Sequence, residues 1–412
     1  MSLISLPARL HAFLAGYGCT SLATGLQVIL LPWIAVAVVE LPALHLGWVQ
    51  ASVLLPNLLF LLLGGVLADR RDAASVAAIA CLGLAACHGA LLWYFSLRLP
   101  DLAVLLLYGV GLGVCTAFLQ PARDNLVQRS AHNDTAPVSH DRVQATVTWM
   151  MLAQYGGQAV GMLFASRFDQ WGVVPLLSLQ IGVLLVAAAL LYSLRFRTSA
   201  RPFERVLPLA LIREGVEEAW RSPALRELIA LVAFNGFVHI GVFLVVLPLL
   251  AADYGRGASY YATLQLAFVA GTVLATIVML RRGQGDAPGR GILMCLLYSA
   301  VLLVGISIGP TAIGLLLLCL CWGAVAAASA ALGRAIVQLL APAEVRSRII
   351  SIYQLALFGS AALGALGAGT LSEYAAPLTT LLWAGILSFV AFALAALNGS
   401  LRRLRVSADT VR

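Results

Sequence analysis

The chain has 412 residues, of which 61% are hydrophobic and 11% are charged. Soluble domains carry roughly 25% charged residues, and a single aqueous core stops growing near about 250–300 residues. The composition therefore excludes an ordinary soluble enzyme, a secreted disulfide scaffold and a disordered chain. The formal net charge is +8, and all 26 basic residues are arginines. These arginines occupy short gaps between apolar stretches, which is typical of membrane topology and not of nucleic-acid binding.

Twelve apolar stretches follow one another along the chain. Each is long enough to cross a hydrocarbon layer of about 30 Å as a helix of about 20 residues. The first is too long for a signal-peptide core and lacks a small-residue cleavage site, so we interpret it as a retained span. The predicted spans are 11–38, 45–67, 74–97, 102–122, 143–166, 173–194, 225–251, 258–280, 291–309, 311–333, 348–371 and 376–398.

The spans divide into two groups of six around a polar linker. The linker mixes arginines with glutamates, and its stretch Leu211–Trp220 is amphipathic, which predicts a surface helix. A soluble catalytic domain has no room, and no GxxxxGK[ST] phosphate loop occurs, so we predict that the chain is not an enzyme. The predicted organisation is an N-terminal six-helix bundle (1–194), a cytoplasmic linker (195–224), a C-terminal six-helix bundle (225–398) and a cytoplasmic tail (399–412).

Arginine positions predict the orientation of the spans. With both termini in the cytoplasm, 23 of the 26 arginines fall on the cytoplasmic side, and only Arg98, Arg167 and Arg256 remain outside. This is the asymmetry of the positive-inside rule. An error of one span would destroy the alternation, so we predict a multi-pass protein of the bacterial inner membrane with both ends inside.

The loop after the second span carries a recognisable motif. Residues 64–72 read Gly-Gly-Val-Leu-Ala-Asp-Arg-Arg-Asp. This resembles the loop signature of the major facilitator superfamily, in which glycines allow close helix packing and an Asp-Arg pair stands at the cytoplasmic end. The resemblance implies an all-α membrane fold of twelve transmembrane helices in two six-helix bundles, which alternate access to a central cavity.

Three further stretches resemble one branch of this superfamily. They are Phe118–Arg123, Gln144-Ala145 and the series Gly333-Arg334, Gln338, Pro342 and Arg346–Ser351. They are similar to the drug:proton antiporter branch, which includes macrolide-efflux and enterobactin-exporter-like proteins. The branch implies export, with protons as the coupling ion.

Charged residues at the cytoplasmic ends of the second and fourth spans form a candidate gate. Asp69 and Arg70 end the second span, and Arg123 and Asp124 end the fourth. We predict that Asp69 and Arg123 close the cytoplasmic side while the other side is open. The alternative is a set of solvated loop charges.

Polar residues inside the spans are candidates for the transport site, because intramembrane ionisable groups are costly. Asn235 and His239 are four residues apart, so both project from one face of the seventh span. They are predicted to line the substrate cavity or to relay protons, since histidine titrates near neutral pH. The alternative is that they only hold helices together.

Neutral amides give the cavity its other hydrogen-bonding groups. We predict roles in the substrate cavity or proton relay for Gln27, Gln154, Gln158, Gln265 and Gln354, and each has interhelical packing as its alternative. His88 in the third span is interpreted as a structural histidine. No cluster with metal-ligand spacing is visible, so we expect neither a metal nor a cofactor.

These observations predict a secondary transporter that exports a small amphipathic metabolite or drug by alternating access, with proton coupling. A siderophore is one candidate cargo. Scarce buried carboxylates argue against a cation or sugar:proton symporter. The alternative function is an uptake permease for a small organic solute, because the same fold supports either direction. The expected partners are a small-molecule substrate, protons and the lipid bilayer, with no nucleic acid, and we expect a monomer.

Overall fold

The computed structural model describes residues 8–131, 140–194, 216–282, 287–342 and 345–404. These residues form helices and short connections, with no strand among them. The twelve long helices are α1 (Ala8–Trp33), α2 (Ala43–Arg70), α3 (Ala73–Leu97), α4 (Leu102–Ala131), α5 (His140–Ala165), α6 (Val173–Tyr192), α7 (Pro223–Asp253), α8 (Gly257–Arg282), α9 (Pro288–Ser307), α10 (Ala312–Leu340), α11 (Arg346–Ala375) and α12 (Pro377–Asn398).

The all-α membrane architecture is confirmed. Eleven of the described helices are long and apolar enough to span a bilayer. The remaining long helix, α5, coincides with the predicted span 143–166 but begins with the polar residues His140, Asp141 and Arg142. Each of the twelve predicted spans therefore corresponds to one long helix.

The fourth helix continues beyond the predicted fourth span. The apolar stretch ends at 122, whereas α4 continues to Ala131 and contains Pro121. Hydropathy marks where a chain leaves the hydrocarbon, but helical backbone groups bond each other equally well beyond that boundary. Arg123 and Asp124 therefore lie on a continuous helix and not in a loop.

Contacts divide the chain into two compact units. Unit 1 contains Met1–Leu41, Ser52–Glu204 and Arg256–Ala262, and unit 2 contains Pro42–Ala51, Arg205–Gly255 and Thr263–Arg412. The start of α2 thus belongs to unit 2 and the start of α8 to unit 1. The predicted division at a linker runs strictly in chain order and does not include this exchange of two short segments.

The two units repeat the same helix pairings. In unit 1, α1 packs along α5, and α3 packs between α4 and α6. In unit 2, α7 packs along α11, and α9 packs between α10 and α12. Each helix in the second set follows its counterpart by six, as expected of two similar six-helix repeats.

Glycines allow the closest of these approaches. A Cβ atom on Gly25 of α1 would overlap the carbonyl oxygen of Gln158 on α5. Likewise, a Cβ atom on Gly241 of α7 would overlap the backbone of Gly364 on α11. In a lipid bilayer the hydrophobic effect does not drive helices together, so close backbone-to-backbone packing supplies much of the stability of a helix pair.

The linker and tail dock on unit 2 where they are described. Residues 216–221 form a short helix, and its buried Ala219 packs on Ile229 and Ile352. The rest of the predicted surface helix, 211–215, lies outside the described residues. Beyond α12, the carboxylate of Glu227 accepts hydrogen bonds from the backbone nitrogens of Ser400 and Leu401.

Candidate functional site

A π-helical segment in α7 carries a buried polar side chain of unit 2. The segment Gly236–Ile240 interrupts the α-helical pattern of α7. Such insertions are rare and concentrate at functional sites, because they re-aim side chains within a helix. The segment begins where Gly236 lies against the carbonyl oxygen of Leu357 on α11. It carries His239, which is only 5% exposed.

Hydrogen bonding defines which nitrogen of His239 carries the proton. The Ser388 hydroxyl donates to the carbonyl oxygen of Ala384 at 2.7 Å. Since its one proton is used there, Ser388 Oγ accepts from His239 Nε2, 3.2 Å away. A neutral imidazole has one N–H, so Nδ1 is left as a bare acceptor. Nδ1 is buried and has no hydrogen-bonding partner among the described residues.

His239 borders a small polar cavity inside unit 2. The cavity has a volume of about 30 Å³, enough for one or two water molecules and far below the several hundred Å³ of a drug-sized pocket. Its polar lining consists of Asn235, His239, Ser299, Ser329 and Tyr353. The structure thus brings Asn235 and His239 to one cavity, as their spacing predicts. The cavity is of a size for water and not for a drug-sized solute.

The predicted residue Gln27 belongs to a network in unit 1. Its side-chain oxygen accepts from the Tyr108 hydroxyl and from the Gln180 amide, both at 3.0 Å. Gln180 Nε2 also donates to the carbonyl oxygen of Ala23 at 3.0 Å. The network joins α1, α4 and α6, which matches the interhelical alternative for Gln27.

His88 lies beside this network and is the second buried histidine. It is 1% exposed, and its ring meets the edge of Tyr108 at a centroid distance of 5.6 Å. The ring approaches the carbonyl oxygen of Leu84, but neither nitrogen makes a hydrogen bond of ordinary geometry to a described residue. The interpretation as a structural histidine therefore lacks the hydrogen bonds that would anchor the ring.

Arg123 contacts α1 through both charge and hydrogen bonding. Its guanidinium lies over the ring of Tyr17 at 4.7 Å from the centroid and donates to Thr20 Oγ1 at 3.0 Å. The Tyr17 hydroxyl in turn donates to Gln154 on α5 at 3.2 Å. Arg123 and Gln154, predicted for two different roles, are therefore joined by Tyr17.

The rest of the candidate gate remains a prediction. The side chain of Asp69 lies outside the described part of the structure. Arg70 and Asp124 are exposed. No contact of the described residues tests the Asp69–Arg123 pair, so the pair stays a hypothesis.

The other predicted amides are dispersed. Gln158 contributes the backbone against which Gly25 packs, and its side chain is half-buried. Gln265 on α8 is 3% exposed, whereas Gln354 on α11 is half-buried beside the cavity residue Tyr353. Of the five predicted glutamines, Gln27, Gln154 and Gln158 belong to unit 1, and Gln265 and Gln354 belong to unit 2.

Sequence reasoning missed three polar residues that the structure places beside the predicted ones. Ser388 and Ser299 lie in apolar stretches, and serines there are too common to single out. Gln180 was detectable by the same criterion that selected Gln27, an amide within a span. Among the described residues, no three His, Cys, Asp or Glu side chains come together as metal ligands would.

Comparison with known proteins identifies the family. The Major Facilitator Superfamily profile matches residues 13–365. The chain belongs to the major facilitator superfamily. It is a membrane transporter of that type, and the predicted twelve-helix fold of this superfamily is confirmed. A search of curated proteins finds no match.

Solved transporters share the superfamily fold at low sequence identity. The nucleoside transporter NupG superposes with a TM-score of 0.77 at 12% identity, covering 95% of this chain and 99% of NupG. A bacterial homolog of the human lysosomal transporter Spinster gives 0.70 at 16% identity, covering 97% and 98%. An auto-inhibited POT family peptide transporter gives 0.72 at 12% identity, covering 98% and 99%. At these identities the likeness concerns the fold alone.

Proposed function

We propose that this chain is a proton-coupled secondary transporter that exports a small amphipathic solute across the bacterial inner membrane. It works as a monomer by alternating access, with both termini in the cytoplasm. Family membership supports transport, and the motifs shared with the drug:proton antiporter branch support export. Antibiotics and siderophores are the two cargo classes that this resemblance favours.

The observation that carries proton coupling is the arrangement of His239. Its Nε2–H is committed to Ser388, Nδ1 is a buried acceptor without a partner among the described residues, and the residue borders a water-sized cavity. In the proposed cycle, a movement of α7 brings Nδ1 into contact with a water of this cavity, which delivers the proton. Asn235, Ser299 and Ser329 offer further polar groups that can orient such a water. His239 is thus our candidate proton carrier.

The charged residues of the second and fourth helices complete the proposal. Asp69 and Arg70 of α2, with Arg123 and Asp124 of α4, form the cytoplasmic gate. Arg123 links α4 to α1 through its hydrogen bond to Thr20. A change in the partner of the Arg123 guanidinium would therefore alter the contact between these two helices.

Deletion of the gene, followed by mass spectrometry of cells and spent medium, tests the direction of transport. For an exporter, we expect one compound to be retained in the mutant cells and depleted from the medium, with reversal on complementation. The second candidate, an uptake permease, predicts the opposite distribution. The nucleoside and peptide transporters among the structural neighbours keep this candidate relevant, because their named solutes are not drugs.

A further inference from the structure

Two adjacent helices of unit 1 carry the same short pattern, Gly-Leu-x-x-Cys. It occupies 83–87 in the middle of α3 and 111–115 in the apolar part of α4. Residues four apart lie on one face of a helix, so each pattern presents a glycine and a cysteine to the same side. The x positions are Ala, Gly or Val, so the thiols are the most polar side chains that the two patterns contain.

The two patterns face each other, and the cysteine of each lies over the glycine of the other. A Cβ atom on Gly83 would be 2.7 Å from Cys115 Sγ, and a Cβ atom on Gly111 would be 2.7 Å from Cys87 Sγ. The helices are thus antiparallel here, and because side chains lean toward the start of their own helix, the two thiols converge. They hydrogen-bond each other.

Two converging thiols are a ligand set for a soft metal ion. Structural zinc takes four ligands, whereas no group of three His, Cys, Asp or Glu side chains occurs in the part of the chain that the structure describes. The thiol pair of Cys87 and Cys115 therefore suits an ion that binds two sulfur ligands in a line. Monovalent copper and divalent mercury are soft ions with that preference.

The net charge of the complex distinguishes these two ions. Two thiolates around monovalent copper leave one negative charge, whereas two thiolates around divalent mercury leave none. An uncompensated charge is costly in an apolar medium, and both cysteines lie in apolar stretches of membrane-spanning helices. The thiol pair therefore favours divalent mercury.

We propose that Cys87 and Cys115 form an intramembrane site that binds one mercuric ion between α3 and α4. When the ion arrives as neutral HgCl₂, it exchanges two chlorides for two thiolates, and the two thiol protons leave with the chlorides as HCl. Mercury stays divalent, and the bound complex is uncharged. Both thiols are half-buried, so a small neutral molecule can reach them. The ligands come from different spans, so no local spacing marks them in the sequence.

Competition by a monothiol tests the site in the full-length protein in nanodiscs. The protein is loaded with one equivalent of HgCl₂ and titrated with N-acetylcysteine, and elemental analysis measures the mercury that stays bound. Two ligands on one scaffold hold an ion about 10²–10⁴-fold more tightly than either ligand alone. We therefore expect Cys87→Ser and Cys115→Ser to release half of their mercury at a monothiol concentration at least about 100-fold lower than the wild type requires.

Cys321→Ser is the matched control. Cys321 is the exposed thiol of unit 2, so its replacement leaves the thiol pair intact, and release should occur at the wild-type monothiol concentration. Gly111→Ala keeps both thiols but places a Cβ atom against Cys87 Sγ, so it should lower the monothiol concentration needed for release. Thermal unfolding of each variant establishes that the protein is folded.

The intact mass of the loaded wild type is the second measurement, and it decides alone if a serine variant fails to fold. A two-thiol site adds one mercury and loses two hydrogens, whereas a single thiol adds HgCl and loses one hydrogen. We expect the first product. An adduct that keeps its chloride, or equal release from the wild type and both folded serine variants, would overturn the site. The exporter proposal would still stand, because it uses neither thiol.

Discussion

Units 1 and 2 treat their buried polar side chains differently. In unit 1, Gln27, Tyr108 and Gln180 bond one another across three helices. In unit 2, His239 makes one bond to Ser388, keeps a buried acceptor without a partner among the described residues, and borders a cavity. Amides that bond each other stabilise a bundle, whereas a titratable group with a free acceptor can exchange protons. Our proposal accordingly gives the network of unit 1 a packing role and His239 of unit 2 the proton chemistry.

The largest expected effect is that of His239→Gln. Glutamine keeps a donor for Ser388 but cannot carry a proton, so we expect proton-driven export to fall at least about tenfold, equivalent to about 1.4 kcal/mol. The measurement is dissipation of a pH gradient in everted vesicles by the compound identified through gene deletion. His88→Gln is the matched control in unit 1 and should stay within about threefold of wild type. Equal losses in both variants would remove the distinction between the units.

Gln180→Leu tests the packing role of unit 1. The substitution removes the bonds from Gln180 to Gln27 and to the carbonyl of Ala23, and leaves those acceptors buried. We expect a loss of about 1–3 kcal/mol in the free energy of unfolding, with unchanged transport per folded molecule. Chemical unfolding and transport normalised to inserted protein supply the two measurements. Lost transport at wild-type stability would give the network a functional role instead.

Asp69→Asn tests the gate at the cytoplasmic end of α2. We expect transport to fall about threefold, as for loss of one modest charge interaction of 0.3–1 kcal/mol, while the amount of inserted protein stays constant. Asp72→Asn is a useful control, because Asp72 caps its own helix through the backbone nitrogen of Ser75. Equal transport by the Asp69 variant and wild type at equal abundance would refute the gate.

The smallest expected effect is that of His88→Leu. Both ring nitrogens of His88 lack ordinary hydrogen bonds to described residues, so an apolar side chain of similar size loses little. We expect the free energy of unfolding to change by less than about 1 kcal/mol, toward greater stability. Thermal unfolding checks this. A strong destabilisation would contradict this expectation. It would show that the His88 ring hydrogen-bonds a group such as an ordered water, as we propose for His239.

Local sequence patterns predicted most of the fold because the bilayer imposes a simple rule. Hydrocarbon offers no hydrogen bonds, so every long apolar stretch must satisfy its backbone as a helix. That rule located all twelve helices. It did not predict the extension of α4 to Ala131, because helix continuation past the membrane depends on the backbone and not on hydropathy.

The candidate site was less predictable. The spacing of Asn235 and His239 placed them on one helical face, and both line the same cavity. Ser388, which defines the tautomer of His239, is 149 residues away along the chain and has no local signature. The prediction of a structural role for His88 illustrates the same limit, because the sequence alone gives neither the exposure of a side chain nor its contacts.

By itself, the amino-acid sequence determined the number of spans, the helical character of each and the family to which the chain belongs. These depend on hydropathy, helical period and short motifs, all of which are properties of neighbours in the chain. Tertiary structure alone decided which amides bond each other and which histidine nitrogen stays without a partner among the described residues. Those outcomes depend on atoms that are 149 to 153 residues apart in the chain and meet only when helices pack.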